Sequence, residues 1–494
     1  MKHVLLVYPE VPETFWSFKH ALKFVRKRAA LPPLGLLTVA AMLPPAWELR
    51  LVDLNVGPLD DADLEWANLV FIGGMIAQEA SARAVIGRCR QADKTVVAGG
   101  PLFTSAHADF DEVDHFVLNE AELTLPEFLS DIEAGKPRRL YTSEGFPSLD
   151  RTPVPRWDLI DMRRYASMSV QYSRGCPFDC EFCDVTAKFG RRSRTKPTVR
   201  VIAELDALAA AGWRGPVFFV DDNFIGNKRK LREDLLPALI EWQHAHRHRF
   251  DFYTEASINL ADDGPLTESI VAAGFDTVFI GIETPEEAGL AECNKRQNRG
   301  RDLAADIRRL QRAGLQVQGG FIVGFDSDTL SIFRRQLEFI QQSGIVTAMV
   351  GMLTALPGTR LHERLGREGR LLGSSSGNNS DGTTNFLPSM SLESLRDGYR
   401  GLMHTLYSPG PYYRRVRTFL REFHPPRIRW RFNPRQGLAF LRASFRLGVI
   451  GRGRFRYWGL LAWTTFRRPA LLQTAVTLAI YGYHFRRCAS ALGA

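Results

Sequence analysis

Three cysteines fall within eight residues in the run Ser173-Arg174-Gly175-Cys176-Pro177-Phe178-Asp179-Cys180-Glu181-Phe182-Cys183, spaced C-x3-C-x2-C. Thiolates are soft ligands that suit zinc or iron–sulfur clusters. A structural zinc site closes with four ligands, and no fourth Cys or His lies near this run. On a four-iron cluster, three thiolates leave one iron open. A small molecule with an amine and a carboxylate could chelate that iron and receive an electron. Cys176, Cys180 and Cys183 are therefore the candidate metal-ligating and catalytic residues, against the plainer alternative of three buried structural cysteines.

Such a loop needs strands to hold it. Between 150 and 360, strand-like runs alternate with helical patterns, and the expected strands are Met168–Tyr172, Val217–Asp221, Asp251–Ser257, Thr277–Gly281, Gln316–Val323 and Thr347–Leu353. Helices fit between them at Thr198–Ala211, Leu231–His248 and Arg301–Ala313, the first and last closing on Gly212 and Gly314. Six repeats predict an open, partial (β/α)6 barrel whose site lies at the C-terminal strand ends. Those ends carry Asp221-Asp222-Asn223, Glu255, Glu283 and the glycine-rich run Gly319 to Gly324. For any one of the acids, an ordinary strand-end or capping carboxylate is the alternative. The basic segment Arg191 to Lys196 could face a carboxylate or phosphate, or be a solvated loop.

From 1 to 145 the same alternation predicts a doubly wound parallel sheet, with strands at His3–Tyr8, Glu48–Val52, Leu69–Gly73, Thr95–Ala98 and His115–Leu118. Ligands of such sheets lie beyond the carboxyl ends of the strands. Here those ends supply Pro9-Glu10, Asn55, Gln78, Gly99-Gly100-Pro101 and Asn119-Glu120.

The cysteine motif, with the aromatic Phe182 before its last Cys, resembles the signature of the radical S-adenosylmethionine (SAM) superfamily. The order of strand-end residues before it resembles the cobalamin-binding domain that precedes many radical SAM domains, including the Gly-Gly-Pro and the Glu120-x-Glu122. There is no Asp-x-His-x-x-Gly after the first strand, so the resemblance implies cobalamin with no histidine below cobalt; His20 is read as a packing residue. Asn119 stands where Gly is common, and Asp221-Asp222-Asn223 replaces the usual Gly-Gly-Glu. The resemblance implies a 4Fe-4S cluster on the three cysteines and SAM contacts from Phe182, Asp222, Glu255, Glu283 and Gly324. It implies cobalamin contacts from Asn55, Gln78, Gly99, Gly100 and Glu120. The SAM ammonium, sulfonium and ribose suit the acids, and Gly324 would let backbone meet the adenine.

The chain is otherwise ordinary for a folded protein, with 45% apolar and 24% charged residues. Six scattered or clustered cysteines do not form a disulfide framework, and the apolar stretch at Met1 to Pro9 is too short for a signal peptide. A reducing, cytoplasmic setting is expected. The net charge of +10 is concentrated: residues 411–494 hold seventeen Arg, no Lys and one acid, Glu422, a charge of +16 against −6 for the rest.

This tail follows a polar stretch, Gly373 to Gly382, read as a loop or lid. It interleaves Arg with Trp430, Phe432, Phe440, Phe445, Phe455, Tyr457, Trp458, Trp463 and Phe466. Leu438, Leu441 and Phe445, flanked by Arg435, Arg442 and Arg446, recur as in an interfacial helix, which makes an anionic membrane surface a candidate partner and nucleic acid a lesser one. The uncharged run Pro469–Phe485 is expected to touch a membrane peripherally rather than span it.

Three domains are expected: 1–145 binding cobalamin, 150–360 housing the radical chemistry, and a mainly helical 361–494. The resemblance implies cleavage of SAM to methionine and a 5′-deoxyadenosyl radical that takes hydrogen from an unactivated carbon, with methyl transfer by way of cobalamin and two SAM per turnover. A small-molecule or lipid substrate and an external flavodoxin- or ferredoxin-type electron donor follow; the nearest named activity is hopanoid C-2 methylation. A radical cyclase, a tRNA-modifying enzyme and a non-catalytic cobalamin or redox sensor remain alternatives.

Overall fold

A computed structural model describes residues 2–425 and 434–492, and the side chains of all of these but 434–436. The first domain is a parallel sheet of β1 (His3–Tyr8), β2 (Glu48–Asp53), β3 (Leu69–Gly73), β4 (Thr95–Gly99), β5 (His115–Val117) and β6 (Leu140–Tyr141), ordered β2-β1-β3-β4-β5-β6. Continuous apolar runs form its centre because both faces are covered by helices: Val4 to Val7 and Val70 to Ile72 are all buried. The sixth strand, two residues long, is too short to leave a periodic signal in the sequence.

The second domain is a six-stranded parallel sheet in chain order: β7 (Met168–Val170), β10 (Val217–Phe219), β11 (Phe252–Glu255), β12 (Phe275–Glu283), β13 (Gln316–Val323) and β14 (Ala348–Met352). A short antiparallel hairpin, β8 (Ser173–Arg174) with β9 (Arg194–Thr195), lies between the first two. The first strands stop earlier than the sequence suggests. Asp221 explains this: its carboxylate accepts from the amides of Tyr172 and Ser173, so the chain leaves the ladder there.

The helix expected at Leu231–His248 begins earlier, at Lys228, and passes through a π turn, Leu231–Leu235, before the regular helix Leu236–Ala245. Pro237, which has no amide to donate, lies in the first turn of that regular part. Leu303–Ala313 is bounded as its sequence dictates, with the Asp302 side chain accepting from Ala305 N and Gly314 left-handed at φ 107°.

The C-terminal part is helical, with Arg360–Arg367, Leu392–Tyr407, Pro409–Glu422, Pro434–Phe445, Arg454–Arg467 and Leu472–Ala491. The uncharged run Pro469–Phe485, expected at a membrane surface, is instead the centre of this bundle. Ala475, Leu478, Ala479 and Phe485 are buried, so its lack of charge serves a protein core. Among the described residues no helix is long and apolar enough to cross a membrane.

Two segments tie the domains together. The arm Thr14–Val25 leaves the first domain and packs on the last helix: Phe15 stacks on Phe485 at 4.0 Å, and His484 Nε2 lies 2.9 Å from the Phe15 carbonyl. The polar stretch Gly373–Gly382, expected to separate barrel and tail, joins all three parts. Ser380 Oγ accepts from Phe15 N at 3.2 Å, the Gly377 α-carbon abuts Ala77, and Asn379 O lies against Gly351 of β14.

Candidate active site

The cysteine loop leaves the C-terminal end of the first barrel strand through Gly175, at φ 91°. A β-carbon there would stand 2.7 Å from the Arg192 carbonyl and 2.8 Å from those of Gly190 and Phe189, and the Gly175 amide donates to Asp222 Oδ2 at 3.1 Å. Only glycine satisfies that turn. Cys176 Sγ lies 3.9 Å from Asn223 Nδ2, and Cys180 Sγ 3.9 Å from Gln297 Nε2, so two side-chain amides aim N–H groups at sulfur.

Burial pushes all three thiols up, and bound iron would reverse this because it ligates thiolate. Among the described residues no three His, Cys, Asp or Glu converge as ligands of a single ion would. A four-iron cluster takes each thiolate on a different iron, and three largely covered soft donors, two of them with amide N–H partners, fit that group.

The acids divide into three environments. Asp221 is buried beneath the loop, and burial, offset in part by the Tyr172 and Ser173 donors, pushes it up to about 7. Asp222, bonded to Gly175, is pushed up to about 6, chiefly by burial. Glu255, at the end of β11, is half-buried and takes no hydrogen bond or ion pair from the described residues. Burial, then the neighbouring Asp222 and Asp221, push it up to about 8. A partnerless carboxyl beside two others is an environment that a ligand's ammonium would relieve.

Glu283 differs: it sits at φ 64° where the β12–β13 register shifts, and it pairs with Lys295 Nζ at 2.5 Å with both side chains buried. Burial alone would lower the Lys295 ammonium, but Glu283 and, behind it, Cys180 and Cys183 hold it well above its usual range. A fixed cation thus stands beside the cysteine loop.

Phe182 packs on a small core of Cys293, Phe325, Leu353 and Phe386, which anchors the loop. Gly324 does not offer its amide to a ligand. At φ 103° it donates to Asp328 Oδ2 at 2.8 Å, and Leu395 of the helical domain covers its α-carbon. It turns the chain out of β13 with its amide already paired.

On the first domain, strand order reverses between β1 and β3, so the strand ends open where Pro9, Asn55 and Gln78 lie. Asn55 Nδ2 and Gln78 Nε2 both donate to the Pro9 carbonyl, at 3.2 and 2.5 Å, and so brace the strand-end loops. Gly99 admits no side chain, since a β-carbon would lie 2.6 Å from the Val117 carbonyl, and Gly100 is left-handed at φ 87°. Both glycines are partly exposed at the strand ends, where a large planar ligand would meet backbone rather than side chain.

His20 is held by Glu13, Nε2 to Oε1 2.6 Å, and packs against Tyr483 and His484. Glu120 spends its carboxylate on Arg174 and Arg194, at 2.6 Å each, and Glu122 binds Arg174 at 2.8 Å. Both acids are buried. Glu120 therefore joins the first domain to the cysteine loop, while the residue also lines a cleft of about 410 Å³ with Thr104, Asn119, Phe146, Lys188 and Gly358. The cleft lies between the two sheets and could take one limb of a corrinoid.

A family model described as the Radical SAM superfamily matches residues 170–340. An uncharacterized methyltransferase of Synechocystis sp. is 41% identical over 97% of this chain and 91% of its own length. The hopanoid C-2 methylase of Rhodopseudomonas palustris is 32% identical over 92% of this chain and 88% of its own. The chain belongs to the radical SAM superfamily. Residues 359–493 of this radical SAM enzyme match a domain of unknown function (DUF4070).

Its fold is similar to that of two solved radical SAM proteins. One is the cobalamin-dependent enzyme OxsB with aqua-cobalamin and SAM bound, at a TM-score of 0.62, 14% identity, and coverage of 100% of this chain and 84% of that one. The other is the methyltransferase TsrM of Kitasatospora setae with cobalamin and a 4Fe-4S cluster, at 0.57 and 17% identity, covering 93% and 98%.

Sequence reasoning about this radical SAM enzyme missed Lys295, Gln297 and the partnership of Arg174 and Arg194 with Glu120 and Glu122. The basic run Arg191 to Lys196 carried part of the signal: Arg194 faces Glu120, and Lys196 pairs with the buried Glu204. Lys295 left no mark, because its partner lies on a neighbouring strand end.

Proposed function

We propose that this radical SAM enzyme is a cobalamin-dependent methylase acting on an unactivated carbon of a lipid-like substrate. The observation that carries the reading is the extent of likeness: similarity to a hopanoid C-2 methylase covers 92% of the chain, both flanking domains included, and not only the shared barrel. When bound, the cluster, SAM and cobalamin supply the electron, the radical and the methyl group.

The chain's own residues hold these parts. Cys176, Cys180 and Cys183 offer the thiolates, with Phe182 fixing their loop. Glu255 and Asp222 would accept from the amine of SAM, and Glu283, oriented by Lys295, would accept from a ribose hydroxyl. Gly99 and Gly100 give the backbone access that a corrin face needs, Asn55 and Gln78 shape the loops around it, and Glu120 keeps the two sheets in register. An external flavodoxin- or ferredoxin-type protein would deliver electrons.

The test is anaerobic reconstitution with iron, sulfide and cobalamin, then dithionite-driven turnover with SAM and a pentacyclic triterpenoid lipid. 5′-Deoxyadenosine and S-adenosylhomocysteine are measured together. Equal amounts of both, a methylated lipid, and no 5′-deoxyadenosine from Cys183→Ala are expected. 5′-Deoxyadenosine without S-adenosylhomocysteine, in the presence of a consumed substrate, would replace methylation with cyclisation or rearrangement.

A further inference from the structure

Among the described residues, the helical domain leaves an apolar face without a protein partner. On Pro434–Phe445 and the π turn Arg446–Ile450, the positions Leu438, Leu441, Phe445 and Val449 follow one another at helical spacing and all are exposed. Leu441 is 63% and Phe445 61% exposed, and Phe455, at the start of the next helix, is 79% exposed. Buried neighbours on the opposite side, Ala439, Ala443 and Leu447, hold the helix on the bundle. The exposed face is therefore the outer side of a packed element.

The surrounding charge is of one sign. Residues 434–492 contain ten Arg and no Lys, Asp or Glu. Arg446, Arg452 and Arg454 are exposed beside the apolar side chains, with Arg446 also bonded to the Tyr483 hydroxyl at 3.1 Å. Arg442, expected from sequence to flank the stripe, instead donates to the Phe24 carbonyl at 2.9 Å, and Arg435 lies outside the described side chains.

We propose that this face docks on an anionic lipid bilayer, with Leu438, Leu441, Phe445, Val449 and Phe455 entering the acyl boundary and Arg446, Arg452 and Arg454 meeting lipid phosphates. Apolar side chains at the interface plus cations at the headgroups is the chemistry of monotopic association. Three of the five face residues, Leu438, Leu441 and Val449, are aliphatic and offer bases nothing to stack on, which favours lipid over nucleic acid. The uniform charge of the face decides against a second copy of this chain, which would set a second Arg446, Arg452 and Arg454 against the first three. The inference rests on this surface and not on the methylation reading.

The experiment is co-sedimentation of the full-length protein with phosphatidylglycerol vesicles and with phosphatidylcholine vesicles, over a range of salt. Binding to the anionic vesicles, weakened by salt, is expected. Leu441→Ser with Phe445→Ser should weaken it by about tenfold or more. Arg452→Gln with Arg454→Gln should do so by about tenfold at low salt. All four positions are exposed, so the variants keep the wild-type circular dichroism and 5′-deoxyadenosine formation.

Three results would overturn the proposal: no binding to either vesicle, equal binding to both, or unchanged binding by the serine variant. Retention by single-stranded RNA with no vesicle binding would assign the face to nucleic acid instead. Vesicle binding needs no cluster and no turnover, so its failure is separate from any failure of the methylase.

Discussion

Glu255 is a carboxyl group held next to two others, with no donor to it among the described residues. Its raised value has a sign that can be tested. An acid whose folded value is raised to about 8 favours folding while protonated, and that contribution is lost as pH rises from the unfolded range through the folded one. Glu255→Gln should therefore stabilise the cofactor-free protein more at about pH 9 than at about pH 6, as read by urea unfolding midpoints, while weakening SAM binding measured by equilibrium dialysis.

Lys295 offers the opposite case. Lys295→Met leaves Glu283 charged and buried without its partner, at a cost of about 3–5 kcal/mol, and adding Glu283→Gln should recover most of it. At this scale the sequence was informative where covalent spacing alone defines the chemistry, as in Cys176, Cys180 and Cys183. It was silent on Lys295, because its partner Glu283 is brought up by folding.

Elements position these residues through a few tight contacts. The cysteine loop turns at Gly175 beneath three carbonyls, so Gly175→Ala should lower iron content after reconstitution by at least half while far-ultraviolet circular dichroism is retained. The junction between the sheets rests on Glu120 and Glu122 with Arg174 and Arg194. Burial alone would raise Glu122, but hydrogen bonds and charge from Arg174 hold it below the ordinary carboxylate range. A depressed carboxylate contributes stability above its unfolded value of about 4.5, and that contribution is lost as pH falls through the folded value.

Glu122→Gln should lose about 3–5 kcal/mol at neutral pH and show a flatter fall below about pH 4.5, followed by urea unfolding. Strand centres were legible in apolar runs such as Val4 to Val7. Strand ends were not, since β7 and β10 stop where the Asp221 side chain captures main-chain amides that a one-dimensional pattern assigns to the ladder.

Over the whole molecule, the order of domains could be read from the alternation of strands and helices and from the shift in charge near residue 411. The helical domain's manner of attachment could not. Asp326, at the end of the barrel, binds both Arg364 and Arg370 and accepts from Ser389 Oγ at 2.7 Å. Tyr399 and Tyr407 donate to carbonyls of Val350 and Ala348 on β14. A chain ending before residue 359 would strip this cover from buried apolar surface, and should be recovered from the insoluble fraction in expression trials.

The arm around Phe15 is stacked on Phe485. During synthesis those two rings are separated by most of the polypeptide, so this stack closes only after the last helix has left the ribosome, later than the packing of Trp16 on Phe279. The first sheet can form early; its closure against the rest cannot. A translation product truncated before the last helix would thus lack the ring that covers Phe15 and leave part of an apolar arm exposed.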